Sequence, residues 1–406
     1  MTATQVRHLA EVWSSSVDKH SVEGEIPIRL CNYTDAYKND TVEPHAGLMR
    51  ATATPEEVRR FRLQPGDTVL TKDSEDPNDI GISAFITGTA ADFVCGYHLA
   101  IARPREGVVP RFLNWAFRSR PSLAHFSTHA SGISRYGLGV ADLRATPVPV
   151  HDLGQQQRIA DFLDDRVARI DQIIVHRQEQ AALTDELAQA QLSAVFAPTE
   201  QRGRLKDLLA APPCYGVLKP EYVDAGTPIV RIADLPASGS VEEASLPRIP
   251  ATQSLEYIRT RLARDDVLLG VVGTLGRPTV VHAELVGANV SRAIARLRPR
   301  TGVAGAYVQA VLRLPDFARF TEEVTHGTAQ SVLNMGDLKN YPVPLADQNT
   351  TTDLLAEVSR IDSAHVEHLG QVRQSAALLR EYKQSLITAA VTGEFDVTTA
   401  GSGIPG

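Results

Sequence analysis

The longest regular pattern of apolar and polar positions follows Pro147 and Pro149. Apolar residues recur at Ile159, Leu163, Val167, Ile170 and Ile174, then at Ala181, Leu187, Ala190 and Ala194. No proline or glycine interrupts them between Gly154 and Pro198. Gaps of mostly three, four and seven predict one apolar stripe on a long helix. At 1.5 Å per residue a helix over 155–196 spans roughly 60 Å, longer than a small domain is wide. Such a stripe needs an equally long partner, and the chain ends with one. Leu369, Val372, Ala376, Leu379, Lys383, Leu386 and Ala390 alternate gaps of three and four, a heptad seam with one polar position. Thr392-Gly393 then offers a glycine C-cap. Two such helices in one chain are expected to pair as an antiparallel coiled coil.

The rest of the pattern is short. Runs such as Asp67-Thr68-Val69-Leu70-Thr71, 81–86, 266–272, Thr279-Val280-Val281 and Ala293-Ile294-Ala295-Arg296-Leu297 are bounded by Gly, Pro and Asp. Each predicts a strand between turns. Helical stretches follow at 109–117, 303–312 and 316–324. The expected class is α+β, with sheets as scaffold.

These elements occur twice. Asp142-Leu143 matches Asp337-Leu338, Pro147-Val148-Pro149 matches Pro342-Val343-Pro344, and Gly132 matches Gly327, all at an offset of 195. Arg169-Ile170-Asp171 matches Arg360-Ile361-Asp362 at 191, and Arg62-Leu63 with Asp67 matches Arg261-Leu262 with Asp266 at 199. Ordered landmarks with drifting offsets mean one frame with loop insertions. The predicted organisation is a first domain over 1–150, a spacer helix over 151–199, a second domain over 200–345, a second spacer helix over 346–396 and a flexible tail over 397–406. The two copies should be related as a pseudo-twofold repeat.

Charge becomes informative once divided along this frame. The net charge is -7. Residues 155–196 hold seven acids and four bases, and residues 346–396 hold eight acids and four bases, so the two helices carry all of it. The domains are balanced and can each still present a basic face. Cys31, Cys95 and Cys214 lie far apart without a CxxC pair, which argues against a disulfide scaffold or zinc site. The chain has no apolar run suited to a signal or membrane span, so the expected location is the cytoplasm and no membrane partner is expected.

Candidate contact residues lie in polar loops between strands. Gly270-Val-Val-Gly273-Thr274-Leu-Gly276-Arg277 follows a strand directly. Its glycines allow backbone approach to a phosphate, and Thr274 and Arg277 can donate to phosphate or a base edge. A tight hairpin accounts for it equally well, and no Gly-Lys-Ser/Thr follows to make a Walker loop. Asn289, Ser291 and Arg292 form a second cluster. Asn and Arg suit bidentate readout of adenine and guanine, and a surface turn suits them as well. Gln330 and Ser331 form a third, with Ser134, Arg135 and Tyr136 as counterpart in the first domain. Lys72 and Ser74 occupy the place of the glycine-spaced turn. His125, His129 and His326 read as surface or structural residues. No Gly-x-Ser-x-Gly, Walker or Asp/Asn-Pro-Pro-aromatic pattern occurs, so a non-catalytic chain is expected.

This arrangement resembles the DNA-specificity subunit of type I restriction–modification enzymes across nearly the whole chain. The resemblance is carried by Pro147-Val148-Pro149 through Gln157-Arg158-Ile159-Ala160-Asp161-Phe162-Leu163-Asp164, and by the ending Glu381-Tyr-Lys-Gln-Ser-Leu-Ile-Thr-Ala-Ala-Val-Thr-Gly393. Tyr215-Gly-Val-Leu, Arg261-Leu-x-x-Asp-Asp266 and Gly287-Ala-Asn-Val-Ser-Arg292 look like that family's target recognition domain, which adds Tyr215 to the candidate contacts. The first domain lacks two of these motifs, as expected if each domain recognises its own half-site. The resemblance implies two tandem target recognition domains on double-stranded DNA with a bipartite, asymmetric target. It also implies two methyltransferase subunits as partners and, in some assemblies, two motor–nuclease subunits. S-adenosylmethionine, ATP and Mg would then belong to those partners, and this chain would bind no cofactor. Two alternatives stay open: a specificity subunit of another phage-defence methyltransferase system, and a coiled-coil scaffold that binds no nucleic acid.

Overall fold

Short alternating runs bounded by turn residues form small sheets, and uninterrupted heptad patterns form long helices. The computed structural model describes residues 3–236, 241–325 and 332–398. The chain divides into two compact units, residues 1–178 with 373–406, and residues 179–372. The division falls inside both long helices, Leu153–Phe196 and Gln348–Thr392. Each unit therefore holds one α+β domain and half of each helix.

In the first unit five strands lie in the order Ala10–Ser14, Leu99–Pro104, Thr68–Thr71, Ser83–Ile86, Thr41–Val42. All neighbours are antiparallel except the last pair. In the second unit four strands follow the same order: Cys214–Tyr215, Ile294–Leu297, Val267–Gly270, Gly276–Val280. Each domain adds a three-stranded sheet containing one parallel pair, Ile26–Cys31 with Phe93–Cys95 and Thr227–Val230 with Asn289–Val290. Each is also tied to the start of a long helix by one antiparallel clasp. Ala3–Gln5 pairs with Pro147–Pro149, and Arg202–Arg204 pairs with Pro342–Pro344.

A buried ion pair recurs in the same place. Asp67 accepts from Nε and Nη2 of Arg103, both at 2.7 Å, and from the backbone of Gln64 at 2.8 Å; Arg103 also reaches the Arg62 carbonyl at 3.2 Å. Asp266 accepts from Nε and Nη2 of Arg298 at 2.8 and 2.7 Å and from the backbone of Ala263 at 2.8 Å; Arg298 reaches the Arg261 carbonyl at 3.1 Å. The hydrogen bonds from the arginines, with their charge partners, raise the pKa of Arg103 and Arg298 despite burial. The residue before each carboxylate has positive φ, 93° at Gly66 and 66° at Asp265. An Asp is among the few residues other than glycine that tolerate that conformation.

Both long helices open on an aspartate cap. Asp152 Oδ1 accepts from Gln155 N and Asp347 Oδ1 from Thr350 N, each at 2.8 Å. Those N–H groups lack intrahelical partners, so an acceptor there stabilises the first turn. The Thr350 contact holds the Asp347 carboxyl below its ordinary pKa. The cap starts the first helix two residues before the predicted 155 and takes Gly154 into it. Gly393 ends the second helix with φ 74° and its N–H on the Ala390 carbonyl.

Within each unit the helix halves lie side by side and run in opposite directions. In the first unit Ile159, Leu163, Val167, Ile170 and Ile174 share a core with Leu386, Ile387, Ala390 and Val391. Lys383, the charged seam position, donates to both oxygens of Asp171 at 2.6 and 2.7 Å. In the second unit Leu192 and Phe196 pack with Val358 and Leu354, and His365 Nε2 lies 3.2 Å from Asp185. The expected stripe needs one correction. Leu187, Ala190 and Ala194 are exposed, while Ala181, Ala188 and Val195, in steps of seven from Ile174, are half-buried, and Leu192 and Phe196 are buried. Leu187 lies 13 residues from Ile174, about 220° around at 3.6 residues per turn, and so faces away from the seam.

No helix among the described residues is long and apolar enough to cross a membrane.

Candidate nucleic-acid interface

In each unit one end of the main sheet gathers the polar loops. Two backbone bonds define it in the first unit. Lys72 N donates to the His98 carbonyl at 3.1 Å, and Leu138 N to the Lys72 carbonyl at 2.8 Å. The second unit repeats them with Val271 N on Ala293 at 2.8 Å and Leu333 N on Val271 at 2.9 Å. The turns after the Thr68–Thr71 and Val267–Gly270 strands, and those before Leu99–Pro104 and Ile294–Leu297, therefore lie together in equivalent places.

In the first unit this end gathers Lys72, Arg135 and aromatic rings beside Asp73 and Asp79. Lys72 Nζ stands 4.6 Å from the centre of the Tyr97 ring, and Tyr97 meets His98 edge-on at 4.6 Å. Such a cation–π contact contributes about 0.5–1 kcal/mol at an exposed site. His98 Nδ1 lies 2.8 Å from Asp73 and 3.4 Å from Arg135 Nη2. The shorter contact decides the tautomer: Nδ1 carries the proton and donates to the carboxylate. Ser134 and Arg135 are exposed on the turn leading to Tyr136–Gly137, which pairs with Asp73–Ser74. Only glycine fits at 132, where φ is 150° and an added Cβ would sit 2.0 Å from the Arg135 carbonyl. Tyr33 stacks on Tyr37 at 5.5 Å beside the same loops. Burial and the nearby Asp79 raise the Tyr33 pKa, with Arg135 opposing.

Several expected contacts are corrected by their surroundings. Ser74 is buried, and its Oγ accepts from Asp76 N at 3.1 Å. Tyr136 packs against the first core. Tyr215 packs against the second core and donates its hydroxyl to the Leu333 carbonyl at 3.3 Å. Asn289 is fully buried; its amide nitrogen donates to Thr260 Oγ1 and the Tyr257 carbonyl, and its oxygen accepts from Ser254. These four side chains are committed to their own domains. Ser291 is half-buried, with its backbone in the turn before Ile294.

The glycine-spaced turn is a hairpin between paired strands. Thr274 is exposed at its tip, whereas Arg277, at φ 53°, sends Nη1 to the Leu235 carbonyl at 3.3 Å. Arg292 is exposed. Gln330 and Ser331 lie outside the described residues. The candidates left exposed or half-buried are Lys72, Ser134 and Arg135 in one unit and Thr274, Arg277, Ser291 and Arg292 in the other. Sequence reasoning missed Tyr97 and His98. Their only sequence signal is the offset of 195 that places Tyr97 opposite Arg292.

His125 and His129, four residues apart, stack at 4.0 Å; His125 Nε2 meets the Asp142 carbonyl and His129 Nδ1 the His125 carbonyl. No group of three His, Cys, Asp or Glu side chains able to hold a metal ion occurs among the described residues.

No family model matches the sequence. A curated relative, the type I restriction enzyme EcoBI specificity subunit of Escherichia coli, is 24% identical over 306 residues, covering 67% of this chain. The match spans 63% of that subunit's length, under two thirds. A solved chain described under complex assembly and conformational transition of the type I R-M system superposes with a TM-score of 0.71 at 18% identity, covering 97% of this chain and 98% of that one. The chain resembles type I restriction–modification specificity subunits. The HsdS subunit from Thermoanaerobacter tengcongensis gives a TM-score of 0.50 at 17% identity, with 97% of each chain covered. The mixed α+β specificity-subunit fold, with its long helix at 153–196 and another near the C-terminus, is therefore shared along the chain.

Proposed function

We propose that this chain is a non-catalytic DNA-specificity subunit of a type I restriction–modification complex, with each domain reading one half of a bipartite target. The observation that carries this reading is the paired construction. Two domains share strand order, clasp, helix cap and buried Asp–Arg pair, yet present different residues at the equivalent sheet end. Two copies of one frame offer similar faces to two copies of one partner, while differing loops read different bases. Half-buried Lys72 and exposed Arg135, Thr274 and Arg292 are suited to phosphates and base edges. The balanced domains leave much phosphate neutralisation to partner methyltransferase subunits, which would bring S-adenosylmethionine, and to motor–nuclease subunits, which would bring ATP and Mg. The two long helices form an antiparallel coiled coil that sets the half-site spacing.

The test is co-expression with a type I methyltransferase subunit, followed by sequencing of methylated adenine. A two-part motif with a fixed gap is expected. Co-purification without any adenine methylation would overturn the reading. Inserting four residues in register into both long helices should lengthen the gap by about two base pairs, since one turn adds roughly 6 Å and DNA rises 3.4 Å per pair.

A further inference from the structure

The sequences around residues 97 and 292 share nothing: Cys95-Gly96-Tyr97-His98 against Val290-Ser291-Arg292-Ala293. Their backbones are nevertheless held identically. Gly96 N donates to the Cys31 carbonyl at 2.8 Å, as Ser291 N does to Val230 at 2.9 Å. Tyr97 N donates to Val17 at 2.8 Å, as Arg292 N does to Val217 at 2.9 Å. Leu99 N closes the turn on Gly96 at 3.0 Å, as Ile294 N closes on Ser291 at 3.0 Å. The four acceptors behind the two turns, Cys31, Val230, Val17 and Val217, are buried hydrophobic residues. Each turn is thus fixed from behind and carries an exposed side chain at its middle. Tyr97 is 47% exposed, and Arg292 is exposed.

We infer that positions 97 and 292 are the matched specificity-determining positions of the two domains: Arg292 reads a guanine edge, and Tyr97, backed by Lys72, reads a thymine. This rests on the proposed function. Arginine donates bidentately to guanine O6 and N7, whereas an aromatic ring offers an apolar face to the thymine methyl. The different neighbours fit these roles. Lys72 lies against Tyr97 and orients its ring, while the residue matching Lys72 in the second domain is buried Val271. The aromatic reader therefore has a cation against its ring, and the arginine has an apolar residue in that place.

The experiment exchanges the two side chains. Tyr97→Arg and Arg292→Tyr are each co-expressed with the methyltransferase subunit, and the methylated adenine motifs are compared with those of the unaltered chain. Tyr97→Arg is expected to introduce guanine into one half-site only, and Arg292→Tyr to remove guanine from the other only. Affinity for the original target should fall about 10- to 100-fold, the range for one misread base pair. Where methylation is lost, selection of bound duplexes randomised in one half at a time replaces it. Loss confined to one half sustains the inference, and loss across both halves overturns it. Unchanged motifs in both variants, with methylation intact, also overturn it. Failure of the unaltered chain to direct any two-part motif strikes the proposed function instead.

Discussion

Asp67 and Asp266 occupy the same place with the same partners, whereas Tyr97 and Arg292 occupy the same place with no side chain in common. The first pair belongs to the frame and the second to the surface that the frame holds out. The carboxylates are buried, so their partners must match atom for atom. The exposed residues are placed by backbone bonds, so different side chains can stand there. A fold built this way can change what it presents without changing how it stands.

The largest expected effect tests the frame. Asp266→Ala leaves Arg298 without its carboxylate and Ala263 N without an acceptor. A loss of about 3 kcal/mol is expected, the lower end for a broken buried pair because the arginine is partly exposed. Asp67→Ala should cost the first domain the same. Chemical denaturation measures both, and costs differing by more than about 1 kcal/mol would break the equivalence. Asn289→Ala comes next, at about 2 kcal/mol, because it removes a buried amide that accepts from Ser254 and donates to Thr260 and the Tyr257 carbonyl. It should leave the bases read by the first domain untouched in duplex selection. Lys383→Met replaces the charged seam position with an apolar side chain of similar length. A change within about 1 kcal/mol is expected, since the pair with Asp171 is half-exposed. The smallest effect is on the stability of Arg292→Ala, within about 0.5 kcal/mol in the same denaturation assay. Its affinity for target DNA should nevertheless fall.

Much of the frame was legible because repeated landmarks survive where burial or backbone geometry demands them. Pro147-Val148-Pro149 and Pro342-Val343-Pro344 form the same clasp, and the Arg-Leu-x-x-x-Asp motif places the same ion pair. The proposed reading surface was harder to see. Gly96-Tyr97 and Ser291-Arg292 are aligned by hydrogen bonds to carbonyls distant in sequence, which leave no trace in residue identity. Asn289 misled because a polar residue beside Ser291 and Arg292 looks like a loop. Its neighbours Ala288 and Val290 are buried too, and an amide can be satisfied inside a sheet. Leu187 misled because apolar spacing alone does not say which side of a long helix continues the seam.

The division of both long helices also orders the birth of the molecule. The second unit is one continuous stretch, residues 179–372, while the first is closed by residues 373 onward. A ribosome delivers the chain from its amino end, so the later-numbered unit can complete its core while the earlier one still lacks Leu386, Ile387, Ala390 and Val391. The domain made first is therefore finished last, and a chain stopped after residue 372 should yield one folded half and one open one.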